Sequence, residues 1–375
     1  MIRKYSCLLL LLCLMVCCHM RQSSSIETTA ALATDSVQYA EGFHVTRFAD
    51  YTLVEVKDPW SNHRLLQRYV LVDRTKALPA NLPEGTVIRV PVKKITVFTS
   101  VHCAALNELG VSDDIIGVCE SRYMNIPSIQ SRLKEQLTFD LGESSRPNIE
   151  KMLAIGTEAV FASPFQNASY GSVEKIGIPI IECADYMEVE PLGRAEWIRF
   201  LSLFVGKEAI ADSLFAETQK RYMEAKALAD DVTSRPTLLT GKKYGSSWYV
   251  PSGGSYMARL YQDAGADYIF SYLPGTGSTP LTFETVLDKA IRADYWIFNY
   301  NQAEDMTYPM LRAEYTPYSN FAAFENRRIF GCNTNYTLYY EEVPMHPDYL
   351  LRELVALLHP EKLPNYPFRY FMPLK

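Results

Sequence analysis

Two short segments of this chain repeat one local pattern, and each carries a glutamate at the same position. Residues 148–153 and 282–287 both read as a helix start followed by a short amphipathic stretch, with Glu150 and Glu284 in matching places. Each segment then runs on into an apolar strand. Such a repeat in the two halves of a chain predicts two similar α/β lobes. An acidic side chain at the same point of each lobe favours a binding protein over an enzyme.

Length and composition are those of a globular protein with two domains of ordinary size. The chain has 375 residues, which is too long for one small core. Hydrophobic residues make up 48% of the chain and charged residues 21%, which are ordinary globular values. The formal net charge of −6 offers no basic surface for nucleic acid, so we expect no nucleic-acid partner.

The first residues are typical of an export signal that ends at a lipidation site. A basic start precedes an apolar stretch at 8–16, which is shorter than the roughly 20 residues of a membrane-spanning helix. Cys17 and Cys18 follow directly, as in the lipobox of bacterial lipoproteins, and we favour Cys18 as the lipidated residue. An ordinary cleaved signal is the alternative. We interpret residues 1–18 as a lipoprotein signal peptide and 19–37 as a tether, so we expect the protein in the periplasm with a lipid anchor in a cell membrane.

The rest of the chain is predicted to form two α/β lobes with an extra N-terminal β segment. Residues 38–191 begin with alternating, β-branched stretches that predict antiparallel strands, and then alternate short strands with helices, as in a parallel sheet. Residues 192–234 keep helical spacing with an interruption at Gly206, and they are interpreted as a long connecting helix. Residues 235–375 repeat the strand and helix pattern and form the second predicted lobe.

Cysteine and histidine usage argues against a metal site. Cysteines 103, 119, 183 and 332 form no C-x-x-C motif, so we expect buried thiols, with one disulfide of unassigned pairing as the alternative. Binding proteins for free zinc or manganese need several histidines with carboxylates, and no His-rich loop is present. We therefore expect neither a bound metal ion nor a cofactor.

Several short motifs, taken in order along the chain, resemble the substrate-binding proteins of ABC importers that take up metal chelates, namely iron–siderophore complexes, haem and cobalamin. The motifs lie at 108–110, 116–118, 147–150, 191–197, 263–265, 281–284 and 358–361. The resemblance covers about residues 90–370. It implies two α/β lobes with parallel-type central sheets, a long helix that joins them, and a ligand cleft between them. It also implies a protein that binds a small molecule and catalyses nothing.

The resemblance assigns a role to the repeated glutamates. In this family one surface glutamate of each lobe docks on arginines of the membrane permease, and Glu150 and Glu284 match those positions. An acid in the first turn of a helix also needs no partner, because the helix dipole favours it by roughly 0.3–1 kcal/mol. The equivalent placement in both lobes favours docking.

Residues that contact the ligand are expected beyond the carboxyl ends of the strands. In the first lobe these candidates are His102, Arg122, Tyr123 and Arg146, and in the second lobe they are Trp248, Tyr249 and Ser278. Aromatic side chains offer flat contact area to a chelate, and arginines suit its acidic groups. Core packing is the alternative for Trp248 and Tyr249, and a polar helix start is the alternative for His102.

The sequence therefore predicts a monomeric, periplasm-facing receptor that delivers a metal chelate to an ABC importer. An iron–siderophore complex is the first candidate for the ligand, and cobalamin or haem is the alternative. A chelatase-like enzyme is the alternative from another class, since such folds also place two α/β lobes around a tetrapyrrole. A surface protein that binds ligand without a transporter is the third interpretation.

Overall fold

The structure is a computed structural model that describes residues 31–61, 64–167 and 169–375. The predicted signal peptide, the candidate lipidation site Cys18 and the tether up to residue 30 lie outside the described residues. Within the described ranges, no helix is both long and apolar enough to cross a membrane.

An N-terminal sheet precedes the first lobe. Its five strands lie in chain order: β1 (Ala33–Thr34), β2 (Phe43–Arg47), β3 (Thr52–Lys57), β4 (Leu65–Asp73) and β5 (Thr86–Val90). All neighbours are antiparallel, as predicted, except β4 and β5, which pair in parallel. The β4–β5 connection at 74–85 is long enough to bring the chain back to the end of the sheet where β4 begins, so β5 can run parallel to β4. Tight turns, in contrast, join antiparallel strands.

The first lobe contains a parallel sheet, which confirms the predicted fold class. Its strands are β6 (Ile95–Val97), β7 (Ile115–Val118), β8 (Phe139–Asp140), β9 (Ala159–Ala162) and β10 (Ile180–Glu182), and its helices are α1 (Ser100–Glu108), α2 (Pro127–Lys134) and α3 (Ile149–Ile155). The spatial order is β10-β9-β6-β7-β8, with every pair parallel. The direction of strand addition reverses between β6 and β9.

Two helices, not the one predicted, follow the first lobe. They are α4 (Pro191–Val205) and α5 (Glu208–Ala227). The break is at Gly206, whose φ of 65° lies in the left-handed region that glycine adopts without steric cost. Helix α4 is almost entirely buried, because both the N-terminal sheet and the first lobe pack against it.

The second lobe has a five-stranded sheet and a small three-stranded one. Its strands are β11 (Thr237–Thr240), β12 (Lys243–Tyr244), β13 (Ser247–Pro251), β14 (Asp267–Tyr268), β15 (Ser278–Leu281), β16 (Tyr295–Tyr300), β17 (Ile329–Asn333) and β18 (Met372–Pro373). Its helices are α6 (Tyr256–Asp263), α7 (Phe283–Ala290), α8 (Tyr308–Glu314), α9 (Ala322–Glu325), α10 (Tyr339–Glu342) and α11 (Pro347–Leu358). The large sheet has the order β14-β11-β16-β17-β18 and is parallel except at β18. The small sheet, β12-β13-β15, is antiparallel.

The N-terminal sheet shares one core with the first lobe. Phe43 of β2 packs its ring against Trp197 and Phe200 of α4, with centroids 5.1 and 5.4 Å apart. The Tyr69 hydroxyl on β4 donates to the Ile180 carbonyl at 2.9 Å and accepts from the Glu182 amide at 2.8 Å. These two bonds satisfy backbone groups of the edge strand β10, so the N-terminal sheet covers an edge that would otherwise be open.

Two buried carboxylates hold the segment that leads into β2. Glu196 accepts hydrogen bonds from the backbone N–H groups of residues 38–40, and Glu188 accepts from those of Glu41 and Gly42. Glu188 also accepts from the Trp197 indole at 2.8 Å. Carboxylates that accept several N–H groups fix a chain segment strongly, because charge-assisted bonds exceed neutral ones in strength.

The lobes also contact each other directly. His346 Nε2, before α11, lies 2.7 Å from the Glu108 carboxylate at the end of α1. The Asn125 amide donates to the Glu341 carboxylate of α10 at 3.2 Å. On the connecting side, α5 packs along α11.

The four cysteines after the predicted leader are buried and free. The prediction of buried thiols is confirmed, and none of the four forms the alternative disulfide. Burial raises the pKa of the Cys103 thiol to about 12, so this thiol stays protonated and unreactive near neutral pH.

Candidate functional site

A cavity of about 560 Å³ lies at the carboxyl edge of the first-lobe sheet. It lies where the strand order reverses, because Thr99 follows β6, Ser163 follows β9, and both residues line it. Ser144 and Ser145, from the loop after β8, also line it. Ligands of open α/β sheets bind beyond the carboxyl ends of the strands at such reversal points. Its position makes this cavity the candidate ligand site.

The walls of the cavity combine aromatic rings with carboxyl groups. Trp60, Phe165 and Tyr170 supply the rings, and Asp58 and Glu182 supply the carboxyl groups. Burial raises the pKa of Glu182, and this effect outweighs the opposing influence of the neighbouring Tyr170 side chain. The Tyr170 hydroxyl is itself buried and has no hydrogen-bond partner of good geometry in the described part of the chain. The site therefore presents polar groups that a ligand can satisfy beside apolar surface.

The sequence analysis missed most of these lining residues. The expectation that ligands bind at the carboxyl ends of strands selected residues after β6 and β7. Applied to β9 and β10, the same expectation would have found Phe165, which follows β9, and Glu182, the last residue of β10. Trp60 lies in the connection between β3 and β4 of the N-terminal sheet, and nothing in the sequence indicates that this connection reaches the cavity.

Three predicted residues of the first lobe are accessible but do not line the cavity. Arg122 and Tyr123 follow β7, where the guanidinium lies 4.7 Å above the Tyr123 ring centroid and the ring is 54% exposed. Arg146 is exposed in the loop before α3. Their positions at the carboxyl edge match the expectation, and their contact with ligand stays a prediction.

His102 is not a ligand-binding residue, and the prediction for it is wrong. Its ring is 1% exposed, with Nδ1 2.9 Å from the Thr99 hydroxyl and Nε2 donating to the Asp185 carboxylate at 2.9 Å. Both ring nitrogens are thus occupied within the fold. On its other oxygen, Asp185 accepts from Arg194 Nε of α4 at 3.0 Å.

The pairing of His102, Asp185 and Arg194 links three parts of the molecule. Asp185 follows β10, and the Arg194 guanidinium lies 4.8 Å above the ring of Tyr256 in the second lobe. Burial alone would raise the pKa of Asp185, but the Arg194 charge and the His102 hydrogen bond together lower it. The Asp185 carboxylate is therefore held ionised between α1 and α4, beside the second lobe.

Trp248 is a core residue, so its predicted place in the cleft is also wrong. Its side chain is fully buried, and its indole donates to the Thr240 carbonyl at 2.8 Å. The ring packs against Trp296, Tyr318 and Phe321 at centroid distances of 5.6–5.8 Å. The small sheet covers the carboxyl end of β11, so Trp248 points inward from β13.

The other two predicted residues of the second lobe are accessible. Tyr249 alternates with Trp248 along β13 and is 50% exposed. Ser278, at the start of β15, is exposed and lies opposite Pro251 of β13. Their proposed contact with ligand stays a prediction. Tyr272 after β14 and Tyr336 after β17 add further exposed rings to this lobe.

The two repeated glutamates occupy the same place in their helices. Glu150 and Glu284 are both exposed, and each is the second residue of its helix, α3 or α7. In each case the residue before the helix caps it: Asn148 accepts from the Lys151 amide at 2.9 Å, and Thr282 accepts from the Thr285 amide at 3.2 Å. The two carboxylates are therefore presented to solvent in the same local setting.

Among the described residues, no group of three or more histidine, cysteine, aspartate or glutamate side chains is placed to hold a metal ion.

The sequence model of the periplasmic binding protein family matches residues 97–336 of this chain. The chain belongs to this family, whose members are substrate-binding proteins of ABC transporters and are not enzymes. The class predicted from the short motifs is confirmed.

Known relatives are distant in sequence but similar in fold. An uncharacterised lipoprotein of Methanocaldococcus jannaschii is 26% identical over 322 residues, which cover 82% of this chain and 76% of the relative. The periplasmic haem-binding protein RhuT from Roseiflexus sp. RS-1 is 16% identical, with a TM-score of 0.57 over 72% of this chain and 99% of that one. An ABC-type Fe³⁺-hydroxamate transport system structure from Saccharomonospora viridis is also 16% identical, with a TM-score of 0.56 over 72% of this chain and 94% of that one.

Proposed function

We propose that this protein is a periplasm-facing lipoprotein that binds a metal chelate and delivers it to an ABC importer. An iron–siderophore complex is the first candidate for the ligand, with cobalamin or haem as the alternative. The observation that carries the proposal is the cavity at the strand reversal of the first lobe, in a chain of the periplasmic binding protein family.

The size and lining of the cavity support a small-molecule ligand. Ligand pockets commonly measure about 300–1,000 Å³ and combine apolar walls with a few placed polar groups. This cavity, at about 560 Å³, lies within that range. Further contacts are proposed for the accessible side chains Arg122, Tyr123 and Arg146 at the carboxyl edge of the first-lobe sheet. If the lobes enclose the chelate, Tyr249 and Ser278 of the small sheet in the second lobe are the proposed contacts on the other side.

We assign the permease contacts to Glu150 and Glu284. Both carboxylates are exposed and unobstructed at equivalent helix starts. Two acidic side chains on separate lobes suit a permease with two basic side chains, because complementary charges fix the orientation of docking and speed association.

The anchor and the division of the chain belong to the same proposal. A relative described as a lipoprotein supports lipidation at Cys18, with Cys17 as the alternative residue. We divide the chain into a signal peptide (1–18), a tether (19–37), a first lobe with its β extension (38–191), a connecting segment (192–234) and a second lobe (235–375). We expect the binding unit to be a monomer.

Retention of ligand tests the proposed function directly. The protein is incubated with a ferric siderophore, haemin or cobalamin, and free ligand is removed by gel filtration. The absorption spectrum of the protein fraction should show one of the three chromophores at close to one equivalent. The proposal fails if the folded protein retains none of them.

A further inference from the structure

The N-terminal sheet lies outside the residues that the family model matches, yet one of its connections reaches the candidate ligand site. The matched region begins at residue 97, whereas Asp58, Trp60, Ser61 and Arg64 lie in the connection between β3 and β4. All four line the cavity, together with Leu66 of β4. One wall of the site is therefore built by a segment that precedes the matched region.

Hydrogen bonds fix this connection beside the first lobe. The Asp58 amide donates to the Arg64 carbonyl at 2.9 Å, and Asp58 Oδ1 accepts from the Trp60 amide at 2.9 Å. On the strand that follows, the Tyr69 hydroxyl bonds to backbone groups of β10. The backbone that carries Trp60 and Arg64 is thus held at the cavity before a ligand arrives, which lowers the entropy lost on binding.

The cavity has an apolar inner end and a polar mouth. Phe98 and Ala162 line it although they are only 4% and 1% exposed, so they form its floor. The exposed lining residues carry hydrogen-bonding groups or a flat ring, and they are Arg64, Ser145, Phe165, Gln166, Asn167 and Ser169. A ligand group that fits this arrangement has an apolar or aromatic part that enters the cavity and a polar part that stays at the mouth.

Arg64 supplies a positive charge at the mouth. It is the one arginine or lysine among the described residues that line the cavity, and its side chain is 75% exposed. Its Nε lies 3.4 Å from Asp58 Oδ2, and its guanidinium makes no hydrogen bond within the described part of the chain. The terminal N–H groups are therefore available to an anionic oxygen, and a guanidinium can offer two parallel donors to a carboxylate.

The two carboxyl groups of the lining are less accessible than this guanidinium. The Asp58 side chain is 7% exposed, and its Oδ1 already accepts from the Trp60 amide. Glu182 is 8% exposed, and burial raises its pKa against the opposing influence of Tyr170 and Gln67, so its charged form is disfavoured. A ligand that enters through the mouth therefore meets a positive charge first.

We propose that Arg64 and Trp60 form a subsite for an anionic arm of the bound chelate, namely a carboxylate or catecholate whose carbon frame enters the cavity. The Arg64 guanidinium binds the anionic oxygens at the mouth, and the rings of Trp60 and Phe165 contact the apolar part of the arm. This inference rests on the proposed function and narrows its ligand to chelates that carry an anionic group.

Complexes of different charge test this selection. A ferric tris-catecholate, a carboxylate-bearing ferric citrate complex and haemin, which carries propionates, are compared with a neutral ferric trihydroxamate and with cobalamin. Each is titrated into the full mature chain with calorimetric detection. At least one anionic complex should bind about tenfold or more tightly than the trihydroxamate. Equal or tighter binding of the trihydroxamate or cobalamin than of every anionic complex would overturn the inference and leave the proposed function in place. Failure to bind any of these ligands would overturn both.

Arg64→Gln tests the charge at the mouth. It should weaken binding of the preferred anionic complex about tenfold and binding of the trihydroxamate less than about twofold, because the amide keeps a donor and loses the positive charge. Arg64→Lys keeps the charge without the planar fork, so its affinity should lie between those of wild type and Arg64→Gln. Arg68→Gln is the matched control, since Arg68 of β4 pairs with Glu55 outside the cavity lining. Equal affinities of Arg64→Gln and Arg68→Gln for the anionic complex would overturn the inference.

Salt separates a charge contact from a structural role of Arg64. The side chain is exposed, so its attraction to an anionic arm is screened as the ionic strength rises. The ratio of the affinities of wild type and Arg64→Gln should therefore shrink between about 0.05 M and about 0.5 M sodium chloride. A ratio that does not change with salt would exclude the guanidinium as the group that binds the anionic arm.

Trp60→Ala tests the ring contact of the same subsite. It should weaken binding of the preferred anionic complex about tenfold or more, because the apolar part of the arm loses its contact surface. Tyr51→Ala is the matched control, because Tyr51 stacks on Phe48 at the turn between β2 and β3, in the same sheet but away from the cavity lining. Equal affinities of these two variants, both folded by thermal unfolding, would overturn the assignment of Trp60 to the subsite.

Discussion

Replacing Asp185 by Asn removes the charge at the centre of the buried network while keeping the shape of the side chain. Asp185 is 1% exposed and Arg194 is 8% exposed, so the guanidinium would stay buried without its carboxylate. Breaking one side of a buried ion pair costs about 3–5 kcal/mol, because the remaining charge is uncompensated. We expect the free energy of unfolding to fall by about that amount, measured by urea denaturation with a probe in the first lobe.

Asp113→Asn is the matched control for Asp185→Asn. Asp113 also accepts from an arginine, Arg132, at 2.6 Å, but its side chain is 96% exposed. Exposed pairs contribute less than about 1 kcal/mol. Equal losses for the two variants would refute the argument that burial gives the Asp185 pair its importance.

The dependence of this effect on pH has a definite sign. The pKa of Asp185 is lower in the folded protein than in the unfolded chain, where an aspartate has a pKa of about 3.9. The unfolded state therefore takes up the proton first, and the stability contributed by the carboxylate is complete above the unfolded pKa and is lost as the pH falls through the folded pKa. The difference between wild type and Asp185→Asn should stay constant from about pH 7 to 5 and shrink below about pH 4. A difference that grows towards acid pH would contradict the assigned direction.

The remaining predictions concern docking, anchoring and the second lobe. Reversal of both Glu150 and Glu284 to Arg should abolish uptake and leave ligand affinity within a few-fold; a parallel loss of affinity in a binding titration would instead place them in the ligand site. Cys18→Ser should move the protein from the membrane to the soluble fraction on sedimentation, and continued sedimentation would point to another anchor. Trp248→Ala should lower stability by about 3–5 kcal/mol in thermal or urea unfolding, because it leaves a large cavity in the core. Tyr249→Ala, at the exposed neighbouring position, should change stability by less than about 1 kcal/mol, and a larger loss would show that its ring packs in the fold.

The sequence predicted the lobes well because their strands are short, apolar and separated by capped helices. Gly110 and Gly156 mark helix ends, with φ values of 73° and 76°, and the strands that follow them are buried parallel strands. The connecting segment was predicted as one long helix with an interruption at Gly206, whereas the backbone forms two helices that are separated at this glycine. The parallel pairing of β4 and β5 also escaped prediction, because alternation shows which face of a strand is buried but does not give the direction of its neighbour.

The candidate site was predicted less well, because a strand end fixes where a residue lies but not which way its side chain points. His102 comes shortly after the carboxyl end of β6, whereas Trp248, which was expected at the carboxyl end of β11, lies inside β13. His102 turns inward because Asp185, far away in sequence, supplies a buried acceptor. Trp248 turns inward because a second small sheet places it over the main sheet. The local sequence pattern around His102 does not identify Asp185, and the pattern around Trp248 does not identify the small sheet.

The contribution of the N-terminal sheet to the candidate cavity also could not be predicted from local sequence pattern. A β segment ahead of the matched family region would ordinarily be regarded as a separate appendage. Here Tyr69 bonds to the edge strand β10 and Phe43 packs on α4, so the sheet shares the core of the first lobe and cannot be moved away from its carboxyl edge without cost. Because the sheet is fixed there, Trp60 lies in the lining of the ligand cavity. A ligand bound in this cavity would therefore contact a segment that lies outside the matched family region.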